Sequence, residues 1–212
     1  MPLKNMLIGA LILGLFAVTG TALVALTQKG TAERIAENER QALLDNLHQV
    51  VPPALHDNDL YADTIKVRDP LLGTDKPVTV YRARQSGQPV AAVIASIAPD
   101  GYGGGIKLLV GIRYDGTLSG VRVIGHKETP GLGDAIEAER SDWILGFSGR
   151  SLVDPAEPQW KVKKDGGVFD QFTGATITPR AVVQAVYNTL RYYQNHREEL
   201  YASGTASAEE EK

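Results

Sequence analysis

Three short stretches carry residue types that could do chemistry. The first, "DQFTGATITPR" (170–180), places Thr173 and Thr176 around Gly174 and Ala175, with Thr178-Pro179 just after. Thr178 as N-cap and Pro179 as first helical residue would open a helix there. The unpaired N–H groups and positive dipole end of a helix N-terminus suit a phosphate, and the small residues leave room for one. An ordinary capped turn, with both threonines serving the local backbone, explains the same residues. A nucleophilic threonine is a third option, but the sequence offers no base for it.

The second stretch is "HKETPGLG" (126–133). Glu128 with His126 could form an acid–base pair, but no nucleophile or oxyanion donor is visible beside them. A plain surface turn is the simplest account, though its N–H groups could also hydrogen-bond a flat ligand. The third, "GYGGGI" (101–106), fails the G-x-G-x-x-G pattern at its sixth position, and no Lys-Ser or Lys-Thr follows to make a P-loop. It reads as a turn where the backbone approaches something closely.

Composition narrows the classes. Twenty-two basic against 25 acidic residues give no electrostatic footprint for nucleic acid. Cysteine is absent, which removes disulfides, iron–sulfur ligation and c-type haem attachment. His48, His56, His126 and His196 are too scattered for a metal site. Redox chemistry in such a chain would need an organic cofactor.

The elements that would position these stretches are legible. Met6 to Leu26 is uncharged and as a helix would be about 31 Å long, enough to cross a bilayer core. The absence of an A-x-A-like site after Leu26 favours an uncleaved anchor over a signal peptide. Lys4 before the span places the N-terminus weakly in the cytoplasm and the rest of the chain on the opposite side. Residues 29–53 read as an amphipathic helix on Ile35, Leu43, Leu44, Leu47, Val50 and Val51, ended by Pro52-Pro53 and packed on its own domain. Strands are expected at 64–67, 78–84, 89–98, 106–114 and 118–125, the last two joined tightly at Asp115-Gly116. "GLGDAIEAERSDWILGF" suggests a short helix or two. From Thr178 onward, Val182, Val183, Val186, Leu190 and Tyr193 share one helical face. The expected class is α+β: one transmembrane helix (1–28), then an antiparallel-sheet domain with flanking helices (54–200) and a polar, disordered tail (201–212).

With these residues in place, Asp170-x-x-Thr173-Gly174-Ala175-Thr176-x-Thr178 is similar to the D-x-x-[ST]-G-A-T-x-[ST] signature of covalently flavinylated FMN-binding domains. The resemblance implies FMN joined through its phosphate to Thr176 by a separate flavin transferase. It also implies that Thr173, Gly174, Ala175 and Thr178 surround the phosphate end, and that Glu128, Thr129, Pro130, Gly131, Leu132 and Gly133 lie near the flavin. Leu132 could then pack on the ring. The order of anchor, GYGG turn, H-x-E-T-P-G-L-G and flavinylation motif resembles the G-subunit family of Rnf (Rsx) electron-transport complexes. The C subunit of sodium-pumping NADH:quinone reductases shares part of the pattern in a longer chain. The Rnf family implies a bacterial inner-membrane electron carrier with other membrane and redox subunits as partners, linking ferredoxin and NAD to ion translocation. No residue would be catalytic in the acid–base sense, and no metal is called for. A stand-alone anchored FMN reductase and a non-redox scaffold are the competing expectations.

Overall fold

The computed structural model describes residues 2–202. They divide after Leu43 into two compact units, taken separately below.

The first unit is helical. It is the larger part of α1 (Pro2–Val50), a helix with no break near residue 28. Nothing between Gln28 and Leu47 stops it: Gly30 is tolerated, and the first proline after the span is Pro52. Leu3–Ala32 is long and apolar enough to cross a membrane, and Leu7, Leu11, Leu15 and Phe16 are exposed. Two of its hydroxyls turn back to the helix, as suits an apolar medium: Thr19 Oγ1 donates to the Leu15 carbonyl at 2.7 Å and Thr27 Oγ1 to that of Leu23 at 2.9 Å.

The second unit holds a five-stranded antiparallel meander in the order β1-β2-β3-β4-β5. The strands are β1 (Thr64–Val67), β2 (Val78–Gln85), β3 (Gln88–Ala98), β4 (Ile106–Arg113) and β5 (Leu118–Gly125), within a residue or so of the sequence reading. The β4–β5 connection closes where expected. Gly116 takes φ +89°, and Asp115 Oδ1 accepts from the Thr117 N–H at 2.9 Å. The long connection from residue 126 to 176 contains short 3-10 helices, and two of them, Gly133–Ile136 and Asp142–Phe147, fall where a short helix or two was expected. It is tied down by aromatic packing. Phe147 stacks on Phe169 with centroids 4.6 Å apart, and Trp143 meets Phe172 edge-on at 5.2 Å.

Period-2 alternation gives the sheet two different faces. Val80, Ile94, Val110 and Val121 stand in register across β2 to β5. That face carries α2 (Ile177–Tyr201), whose Val182, Val183, Val186, Leu190 and Tyr193 are all buried in the same core. On the other face the neighbouring row runs Tyr81, Val93, Gly111, Gly120. There Val50, from the last turn of α1, takes the place of side chains. A Cβ on Gly111 would lie 2.1 Å from Val50 Cγ1, and one on Gly120 would lie 3.5 Å from Val50 Cα. Arg122 Nε donates to Gln49 Oε1 at 2.8 Å beside this contact.

The helix α2 continues to Tyr201, which is buried and has its hydroxyl 3.3 Å from that of Tyr193. Tyr201, assigned to the tail from the sequence, is therefore helical, and 203–212 lie outside the described residues. Burial pushes the Tyr192 phenol up to about 12 and those of Tyr193 and Tyr201 upward as well.

Two tests follow from this packing. Gly111→Ala should lower unfolding stability by about 1–3 kcal/mol in the detergent-solubilised chain, because the new methyl group overpacks Val50. An unchanged denaturation midpoint would contradict the close approach. In the alkaline range the unfolded tyrosines ionise near pH 10 while the folded ones hold their protons, so the unfolded state binds fewer protons. Stability should be intact below pH 10 and fall as pH rises toward 12. Tyr192→Phe should flatten that slope in thermal melts recorded across the range.

Candidate functional site

The register that pairs Lys107 with Gly125 puts the start of β4 beside the end of β5. The 101–105 loop and the 126–133 loop therefore leave the sheet at the same edge. The N-terminus of α2 arrives there too, and a pocket of about 330 Å³ lies among the three segments. Its size falls within the ~300–1,000 Å³ of small-molecule sites.

Of the residues picked out from the sequence, Glu128, Thr129, Leu132, Gly133, Gly174, Ala175, Thr176 and Thr178 line this pocket. Three do not. Pro130 and Gly131 face a separate, shallow depression with Asp134 and Arg140, and Thr173 is exposed outside the lining. Tyr102 and Ile177 complete the wall and were not anticipated. The signal at Tyr102 was an aromatic ring set among glycines, where nothing local could bury it. Tyr102 is 70% exposed, Ile177 48% and Leu132 44%, so the pocket has an apolar rim open to solvent.

The helix starts two residues earlier than the sequence reading placed it. α2 begins at Ile177, with Thr176 rather than Thr178 in the N-cap position and Pro179 third in the helix. Pro179 is tolerated there because its missing N–H is among those a helix leaves unpaired. Thr178 is fully buried, and its hydroxyl is turned to Glu128, donating to Oε2 across 50 residues of sequence. Thr176 has αR backbone angles and no capping bond to its helix. Ahead of it, Gly174 takes φ +80° and the Ala175 N–H donates to the Phe172 carbonyl at 3.2 Å, closing a tight turn. Trp143 Nε1 steadies the approach by donating to the Asp170 carbonyl at 2.8 Å.

The 126–133 segment is more than a surface turn. Glu128 is 5% exposed, and its Oε1 accepts from the Gly103 N–H at 2.8 Å. His126 Nδ1 accepts from the Glu128 N–H at 3.0 Å, which leaves the ring proton on Nε2 to donate to Glu137 Oε1 at 2.7 Å. Both side chains are thus occupied in holding the loop. Leu132 and Gly133 each donate their N–H to the Thr129 carbonyl at 3.1 Å. Two glycines are required by space alone. A Cβ on Gly103 would lie 2.0 Å from the Lys127 carbonyl oxygen, and one on Gly133 would lie 2.9 Å from both Glu128 Cβ and Thr178 Oγ1.

The residues present suit a flavin mononucleotide. Gly174, Ala175 and the first turn of α2 offer small residues and unpaired N–H groups for a phosphate, and Tyr102, Leu132 and Ile177 offer apolar surface for a ring. Among the described residues no cluster of His, Asp or Glu is placed to hold a metal.

Known sequences agree with this reading of the domain. The profile of the family described as FMN-binding domain matches residues 101–191, a span that contains every residue lining the pocket. A second profile, described as RnfG N-terminal region, matches residues 1–50, nearly the extent of α1. A protein of Pseudomonas aeruginosa is 52% identical over 98% of this chain and 97% of its own length. One from Vibrio cholerae is 53% identical over 90% and 91%, and one from Shewanella loihica 48% over 93% of each. All three are named as the G subunit of an ion-translocating oxidoreductase complex.

Gly103→Ala should displace the Lys127–Glu128 peptide and open the pocket wall. The expected result is a loss of about 1–3 kcal/mol in unfolding stability together with a lower flavin content. Wild-type stability and flavin content in the purified variant would refute the contact.

Proposed function

We propose a function from one premise: the chain belongs to the G-subunit family of ion-translocating oxidoreductase complexes, and its folded unit is an FMN-binding domain. On that premise it is a membrane-anchored flavoprotein that relays electrons within a complex coupling ferredoxin and NAD redox chemistry to ion translocation. FMN supplies the redox chemistry; the protein supplies position, environment and access. Electrons pass to and from the redox centres of the other subunits, and the exposed apolar rim of Tyr102, Leu132 and Ile177 is where the cofactor would be reached.

The flavin is held covalently, by a phosphoester to Thr176. The observation that carries this assignment is the position of that hydroxyl. Thr176 sits at the N-cap of α2, on the pocket wall, and is not consumed in capping its own helix. The N–H groups of the first turn and the positive end of the helix stand ready for the remaining phosphate charge. Thr173, Gly174, Ala175 and Thr178 belong to the phosphate end, whereas Glu128, Thr129, Leu132 and Gly133 belong to the wall nearer the ring, with Pro130 and Gly131 on the outer side of that loop. Forming the Oγ1–P bond requires an activated phosphoryl bond in the flavin donor to break and the threonine proton to leave. A separate flavin transferase does this work. The span Leu3–Ala32 anchors the chain in the bacterial inner membrane, with Lys4 on the cytoplasmic side and the folded unit outside it. There a lost cofactor could not readily be replaced, which gives covalent attachment its purpose.

The test is a denaturing gel under ultraviolet light, run on protein co-expressed with a flavin transferase. A fluorescent wild-type band and a dark Thr176→Ala band are expected. Fluorescence retained by the denatured variant would refute Thr176 as the attachment site.

A further inference from the structure

Glu128 has a task that flavin contact does not explain. It is almost fully buried, and the protein itself engages both of its carboxylate oxygens. Oε1 accepts from the main chain of the 101–105 loop, and Oε2 accepts from a hydroxyl in the first turn of α2. We propose that Glu128 is a positioning residue, a buried brace that joins the three pocket segments and fixes the first turn of α2 through Thr178, so that the neighbouring Thr176 hydroxyl is held in place for flavin attachment. The proposal rests on the reading of Thr176 given above.

The helix start explains the need. A threonine at the N-cap ordinarily takes extended backbone angles and turns its oxygen to the N–H of the second or third helical residue. Here Thr176 has αR angles, and the third helical residue is Pro179, which has no N–H to give. Local capping is therefore weakened by the sequence itself. Glu128 holds the first turn through the hydroxyl of Thr178, the second helical residue, from a loop 50 positions earlier.

The packing around the brace is built for close approach. Gly133 lies against it with no room for a Cβ, and its neighbour Leu132 is pocket wall. Gly103 lies close against the Lys127–Glu128 peptide, and its neighbour Tyr102 is also pocket wall. His126 holds the loop from the other side by accepting the Glu128 N–H. Releasing the carboxylate would thus shift Tyr102, Leu132 and the turn before Thr176 relative to one another. A group acting this way should matter through geometry, and glutamine can reproduce the geometry. Its amide oxygen can accept from Gly103, and its amide N–H can donate to the Thr178 oxygen with the direction of that bond reversed.

The test uses the full chain in membranes, co-expressed with a flavin transferase, and follows covalent flavin per polypeptide with time. Visible circular dichroism of the bound flavin and far-ultraviolet spectra of the protein are recorded alongside. Glu128→Ala should slow loading by about tenfold or more, as misplacement of a reacting group commonly does. Glu128→Gln should restore most of the rate and the wild-type visible spectrum. Thr178→Val should resemble Glu128→Ala, Thr178→Ser should load well, and the double variant Glu128→Ala/Thr178→Val should be little worse than either single one. If Glu128→Ala fails to fold, the Thr178→Val and Thr178→Ser pair decides, since both are close in size to the native residue. Wild-type loading in Glu128→Ala, or in a folded Thr178→Val, would overturn the brace while leaving Thr176 as the attachment site. A Glu128→Gln protein as defective as Glu128→Ala would overturn it in favour of a requirement for charge. A dark wild-type band beside a working transferase control would instead overturn the underlying reading of Thr176.

Discussion

A single buried carboxylate, accepting hydrogen bonds from Gly103 and Thr178, holds together the three loops from which the pocket is made. Both donors are neutral, and they lie 25 and 50 residues away in sequence. A carboxylate taken out of water must have its lone pairs occupied, so the segments that supply the donors are bound to the position of Glu128. Gly103 and Gly133 are the counterpart in shape, because only a residue without Cβ lets backbone come this near.

The sheet makes that meeting possible. An antiparallel meander returns its connections alternately to its two ends, and the pairing of Lys107 with Gly125 fixes which loops become neighbours. α2 lies across one face on Val80, Ile94, Val110 and Val121, so its N-terminus is carried to the same end by apolar burial. On the opposite face, Gly111 and Gly120 admit Val50 against the main chain. The functional loops are thus held at the edge of a rigid scaffold, where binding residues are commonly found. An electron carrier, the role proposed for this chain, needs this combination. Its cofactor must be fixed well enough to hold one orientation and exposed enough to be reached by partners, and the rim of Tyr102, Leu132 and Ile177 leaves that opening.

Much of the architecture was legible because its signals are local. Val and Ile alternation marked β2 to β5 almost to the residue, Asp115-Gly116 marked the tight turn, and the spacing from Val182 to Tyr193 marked the buried face of α2. The uncharged run from Met6 to Leu26 marked the apolar helix. The chemistry of Thr173–Thr178 could be narrowed to a phosphate-friendly turn, and its motif to a flavin family. Other boundaries escaped for physical reasons. No residue near 28 stops a helix, so α1 runs on where a separate amphipathic helix was expected. The stretch read as a short helix or two holds two 3-10 helices, Gly133–Ile136 and Asp142–Phe147, the second capped by Ser141, whose hydroxyl accepts from the Trp143 N–H.

The sequence by itself determined the periodic elements, the apolar span and the identity of the residues gathered at the N-terminus of α2. Each depends on neighbours a few positions apart, through side-chain spacing, turn preference or charge. Only the tertiary structure decided that Thr176 rather than Thr178 takes the N-cap position, that Tyr102 joins the pocket and that Thr173 stands outside its lining. It also decided that Glu128 turns inward. These outcomes depend on strand register and on hydrogen bonds between residues far apart in the chain, and no local pattern encodes a partner that only folding brings within reach.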